Sequence, residues 1–120
     1  MKKHANAIKN AVNGIVWGLK TQANYKIHVA LSLLVISAAL FLQVSYYEWL
    51  LLIAMIVLGF VIETLNTGIE QLGDAIDTKY NEYIKRAKDS SAGAMLLFSI
   101  GAVVVAGLIF IPKILELLFN

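Results

Sequence analysis

The chain has 120 residues, 59% of them hydrophobic and only 15% charged, with a formal net charge of +2. A soluble domain carries roughly 25% charged residues, so a water-facing globule is excluded, and the length holds one domain and no second. Cysteine is absent, which removes disulfides and cysteine-ligated metals, and no linker, internal repeat or low-complexity tract is visible.

The charges flank apolar runs. Lys2, Lys3, Lys9, Lys20 and Lys26 precede the first run, and Lys79, Lys85, Arg86 and Lys88 lie between the second and third. A nucleic-acid binder gathers its basic residues on one folded face, so no nucleic-acid partner is expected.

Residues 5–21 have the spacing of an amphipathic helix. Ile8, Ala11, Val12, Ile15 and Leu19 recur at helical intervals, with Lys9, Asn10, Asn13 and Lys20 between them. Such a helix beside a membrane span most simply lies in the interface, and residues 1–27 are assigned to it. Gly14 and Gly18 form a small-xxx-small pair that would admit a close neighbour.

The first span is expected over residues 29–47, free of charge until Glu48. It starts too late and runs too long to be a cleavable signal. Tyr46, Tyr47 and Trp49 mark a membrane interface, and the short connection makes spans one and two an antiparallel hairpin. The second span, residues 49–76, is about 42 Å long at ~1.5 Å per residue, so its C-terminal end emerges from the hydrocarbon. Asp77 to Asp89 is polar and basic and reads as a loop or interfacial segment. The third span covers residues 91–111, with Pro112 placed to end or kink it. The basic segments put the N-terminus and loop 77–89 on the cytoplasmic side of the inner membrane. The fold class is all-α, three transmembrane helices and one surface helix.

The second span carries Glu63, Asn66, Glu70 and Asp74. At ~100° per residue the last three fall at about −60°, −20° and +20° from Glu63, a single stripe. A charge at the bilayer centre costs at least ~2.5–3.5 kcal/mol, so Glu63, at the end of an apolar run, needs a reason. Interhelical hydrogen bonds or an emerging helix end would each account for one such residue. The stripe as a whole reads as a site for cations and polar groups at the membrane boundary. Lys88-Asp89 precedes the third span; Asp89 has the position of an N-cap for a helix starting at Ser90 or Ser91, and Lys88 that of a positive-inside anchor or a phosphate contact. No Gly-rich phosphate loop or dinucleotide fingerprint is present, so any nucleotide site is built from helices.

The run Glu63-Thr64-Leu65-Asn66-Thr67-Gly68-Ile69-Glu70, followed by Asp74, Ala87-Lys88-Asp89 and Gly93-Ala94, resembles the signature of the prokaryotic diacylglycerol kinase and undecaprenol kinase family. Ala11, Gly14, Thr21, Asn24 and His28 match the family's pattern upstream, so the likeness covers nearly the whole chain. The resemblance implies a homotrimer with active sites shared between neighbouring subunits, transferring the γ-phosphate of ATP to a lipid hydroxyl. The product would be phosphatidic acid from diacylglycerol, or undecaprenyl phosphate from undecaprenol. By position it makes Glu63 the general base, Asn66 a positioning residue, Glu70 the ligand of a Mg²⁺ ion, and Asp74, Lys88 and Asp89 nucleotide contacts. Gln22 stands where the family often has a further metal-binding glutamate. A neutral amide is the weaker ligand for a hard cation, which shifts metal binding onto Glu70.

Two other classes use similar parts. A small proton-coupled transporter also relies on an intramembrane carboxylate, but the small multidrug transporters have four spans with the acidic residue in the first. A catalytically inactive membrane oligomer needs no carboxylate stripe leading to the cytoplasm.

Overall fold

A computed structural model describes residues 2–119. Helix α1 covers Lys2–Thr21, and Thr21 closes it by donating its hydroxyl to the Trp17 carbonyl at 2.8 Å. Its apolar stripe is largely uncovered within the single chain, with Ile8 67% and Leu19 37% exposed, as suits a helix that meets an apolar medium rather than a core. Of the glycine pair, Gly14 has open space around it, whereas Gly18 receives the ring of Tyr25 so closely that a Cβ would stand 2.6 Å from Cε2.

Gln22, with φ −97° and ψ 123°, breaks the helix for one residue, and α2 follows over Ala23–Phe41. The surface helix therefore ends at Thr21 rather than residue 27, and the first span is displaced toward the N-terminus from residues 29–47. The cause lies in the polar residues after Gln22. Asn24 and Lys26 face outward while Tyr25 is buried and His28 half-buried, so this stretch is the first turn of a helix with two polar groups turned inward.

The hairpin tip is built by local hydrogen bonds. The Leu42 N–H donates to Ala38, Gln43 takes the left-handed conformation with φ 50°, and the Val44 N–H returns to Ala39 at 3.2 Å. Ser45 then opens α3, Tyr46–Ile76, through a capping box in which Glu48 N–H donates to Ser45 Oγ and Ser45 N–H to Glu48 Oε2. That box starts the helix at Tyr46 instead of Trp49.

Helix α4 spans Glu82–Phe119. Asn81 caps it, its Oδ1 accepting from the N–H groups of Tyr83 and Ile84 at 3.0 and 3.2 Å. Two sequence expectations are corrected here. The polar connection is confined to 77–81, and Asp89 lies inside the helix, so it caps nothing; its carboxylate reaches back one turn to Lys85. Pro112 neither ends the helix nor lies outside it. One missing N–H is tolerated near the end of an apolar helix, and Lys113 beside it is tied to Glu48 of α3 at 3.1 Å.

Helix α3 runs between α2 and α4, antiparallel to both. The buried apolar cluster lies at the hairpin end, where Ala39, Val44, Leu52 and Ile109 meet against Val35, Trp49, Val105 and Phe110. The molecule measures 59 × 41 × 21 Å, and its least dimension is about two helix diameters at ~10–12 Å each. A plate this thin buries little of itself. Within the most apolar stretch of each helix, 28% of residues are buried in α3 but only 6% in α4, although α4 is the more apolar. Water would reverse that order. All three of α2, α3 and α4 are long and apolar enough to cross a membrane, and the chain is a multi-pass membrane protein.

Candidate active site at the polar end of the bundle

One helical turn separates each member of the α3 stripe from the next, and antiparallel packing brings α2 and α4 against it. The Glu63 side chain is 1% exposed. Its Oε1 accepts from the Thr67 hydroxyl at 3.3 Å. Its Oε2 is, among the described residues, the one fully buried side-chain polar atom without a hydrogen-bond partner. The nearest basic atom is His28 Nε2 at 3.9 Å, beyond hydrogen-bond range. Buried polar groups are nearly always satisfied, so this oxygen is a feature to be explained.

Asn66, one turn on, is also buried. Its Nδ2 donates to Glu70 Oε1 at 3.3 Å, and its Oδ1 accepts from the Ser91 hydroxyl of α4 at 2.7 Å. The Ser91 oxygen also lies 2.9 Å from the Lys88 carbonyl, and its single proton serves one acceptor at a time. Glu70 is half-buried, at the change from packed interior to open surface.

Beyond it, Lys88 Nζ meets Asp74 Oδ1 at 2.5 Å and Lys85 Nζ meets Asp89 Oδ2 at 2.5 Å. Asp74, Asn81, Ile84, Lys85, Lys88 and Asp89 line a cavity of about 190 Å³. Gly73 permits the crossing that makes it, since a Cβ there would stand 2.9 Å from Ile84 Cγ2 and 3.0 Å from Lys88 Cε. The structure thus brings Asp74, Lys88 and Asp89 together, links Asn66 to Glu70, and sets Glu63 apart toward α2.

Gln22 is engaged locally, its amide donating to Thr21 Oγ1 at 3.2 Å. Among the described residues no three His, Asp or Glu side chains converge to hold a metal. That arrangement still fits Mg²⁺, which takes one or two carboxylates and completes its shell with phosphate oxygens and water; Glu70 offers the carboxylate.

Sequence reasoning gave no role in the site to three residues, Ser91, His28 and Tyr25. A buried Asn66 demands a donor, which points to Ser91 on the next helix. The place of His28 in a span beside a buried acid, and the Tyr25 hydroxyl bonded to Thr64, follow only from how α2 packs on α3.

The architecture is that of a polytopic helical membrane protein in which a buried carboxylate, a hydrogen-bonded Asn66–Ser91–Glu70 group and a charged cavity follow one another along α3. The chain belongs to the prokaryotic diacylglycerol kinase family, a family of membrane lipid kinases, whose model matches residues 9–110. The undecaprenol kinase of Bacillus subtilis (strain 168) is 33% identical over 105 residues, 88% of this chain and 85% of that one. The diacylglycerol kinase of Synechocystis sp. is 36% identical over 106 residues, 88% of this chain but only 61% of its own length. That of Escherichia coli (strain K12) is 38% identical over 72 residues, 60% of this chain and 59% of its own.

Proposed function

We propose that the protein transfers the γ-phosphate of ATP to the hydroxyl of a membrane lipid, with diacylglycerol and undecaprenol as the candidate acceptors. The observation that carries this reading is the unpartnered Oε2 of Glu63, a buried carboxylate packed toward α2 in a largely apolar setting. In this scheme the lipid hydroxyl gives its proton to Glu63 Oε2 as its oxygen bonds to the γ-phosphorus. The bond from that phosphorus to the β–γ bridging oxygen breaks, and ADP leaves.

Asn66, held from both sides by Ser91 and Glu70, is the positioning amide between base and phosphate. Asp74, Lys88 and Asp89 face the nucleotide, and Lys88 supplies positive charge to its phosphates. Mg²⁺ held by Glu70 would neutralise negative charge on the phosphate oxygens.

The basic segments support a cytoplasmic N-terminus and 77–89 segment. The family resemblance supports a homotrimer. Three membrane-crossing helices with the acid in the second differ from the layout of a small multidrug transporter.

The test is to offer diacylglycerol and undecaprenol separately to the detergent-purified protein with labelled ATP and Mg²⁺. Label entering one lipid establishes the activity and names the acceptor. No label in either, from folded protein, would sink the proposal.

A further inference from the structure

His28 stands at a junction that the scheme above leaves unused. Its ring is wedged between Phe60 and Phe98, with centroids 5.8 and 6.4 Å away. Gly59 makes room for this wedge: a Cβ there would lie 2.9 Å from the Phe98 ring and 3.4 Å from His28 Nδ1. The imidazole is therefore held in place by packing, with Nε2 turned toward Glu63 Oε2 at 3.9 Å. Beneath it lies a cavity of about 170 Å³ between α2, α3 and α4, lined by His28, Ser32, Met55, Gly59, Phe98 and Ala102 among others. Its walls are almost wholly apolar.

A gap of 3.9 Å is too wide for a direct hydrogen bond, and Oε2 is closed off by its neighbours in the single chain; a small turn of the Glu63 side chain would admit one oxygen about 2.8 Å from each atom. We propose that His28 Nε2 and Glu63 Oε2 together hold the acceptor hydroxyl of the lipid, with the adjoining apolar cavity taking the first carbons of its chain. This rests on the reading of Glu63 as the base. The hydroxyl proton points to Glu63, one oxygen lone pair accepts from His28 Nε2–H, and the second lone pair stays free for phosphorus. Two partners fix the direction of attack, which one cannot. His28 is then a catalytic residue that orients the nucleophile.

The test is steady-state kinetics on the purified protein in lipid–detergent micelles, comparing His28→Leu, His28→Gln and Glu63→Gln with the wild type. A glutamine amide nitrogen reaches the place of Nε2, whereas leucine fills the space without a donor. The expected result is a fall of roughly tenfold to a hundredfold in kcat/KM for the lipid in His28→Leu, the scale of one lost buried hydrogen bond. His28→Gln should recover much of it, and KM for ATP should stay unchanged in both. Full lipid activity in His28→Leu overturns the inference while leaving Glu63 as base, provided Glu63→Gln is inactive. Equal losses in the Leu and Gln variants, with KM for ATP shifted as well, assign His28 a structural role and also overturn it. An active Glu63→Gln protein overturns the base itself, and the pairing with it.

Discussion

Ser91 on α4 donates its hydroxyl to the Oδ1 of Asn66 on α3 at 2.7 Å, and both side chains are buried. This bond fixes which way the Asn66 amide faces, since its nitrogen is then left to donate to Glu70. Ser91→Ala removes the donor and strands a buried carbonyl oxygen. A loss of about 1–3 kcal/mol in stability is expected, read as a lower melting temperature in detergent, together with reduced lipid phosphorylation. Unchanged melting and unchanged turnover would show that the amide is positioned by something else.

Glu63→Gln separates charge from shape. The amide fits the same space and removes an ionisable group from a buried site, so the melting temperature should hold. Turnover should fall by at least about 10²-fold, as for the loss of a general base. A variant that melts normally and keeps full turnover would take the base role away from Glu63.

The Lys88–Asp74 and Lys85–Asp89 pairs sit on open helical surface, where ion pairs add little to stability. Lys88→Ala and Asp89→Asn are therefore expected to melt near the wild type but to raise KM for ATP, with KM for the lipid unaffected. A raised lipid KM with a normal ATP KM would place this cavity outside the nucleotide site.

Glu70→Gln should demand more Mg²⁺ for half-maximal turnover, because a neutral amide binds a hard cation more weakly than a carboxylate. Gln22→Glu should move the requirement the other way. A Mg²⁺ titration of the wild type and both variants decides it; coincident curves would remove both residues from metal binding.

Gly59 and Gly73 give a contrast within one helix. A methyl at Gly59 meets the ring of Phe98 at 2.9 Å, whereas at Gly73 it meets Ile84 Cγ2 at 2.9 Å and also the stem of Lys88 at 3.0 Å. Gly59→Ala should cost about 1–3 kcal/mol through overpacking. Gly73→Ala should cost a similar amount and, because it also displaces Lys88, raise KM for ATP, which Gly59→Ala should not. Thermal melts of the two variants in the same detergent give the comparison.

Much of this was legible in the sequence because membrane segments obey strict rules. Three apolar runs and a polar stripe at helical spacing were enough to place Glu63, Asn66, Glu70 and Asp74 on one face. Element ends were harder to read, for a physical reason. Asn24 and Lys26 belong to a helix although they are polar, because Tyr25 and His28 beside them turn inward. Asp89 looked like a cap because the apolar run starts after it, whereas Asn81, followed by an acidic first turn, starts the helix two turns earlier. The Ser45-x-x-Glu48 box was present in the sequence and would have given the start of α3. The meeting of His28 with Glu63 was not readable, since it depends on the rotation of α2 about its axis, which no spacing within α2 records.

The stripe lies on an unbroken helix, and this has a consequence for substrate choice. A flexible phosphate loop adapts its shape to whatever it holds; α3 cannot. From Asp74 to Glu63 is eleven residues, a fixed length of about 16 Å at 1.5 Å per residue. In the proposed scheme the helix would act as a ruler, and the two substrates would close the distance with their own reach. A nucleoside diphosphate seated at the charged end would stop one phosphoryl group short of the hydroxyl.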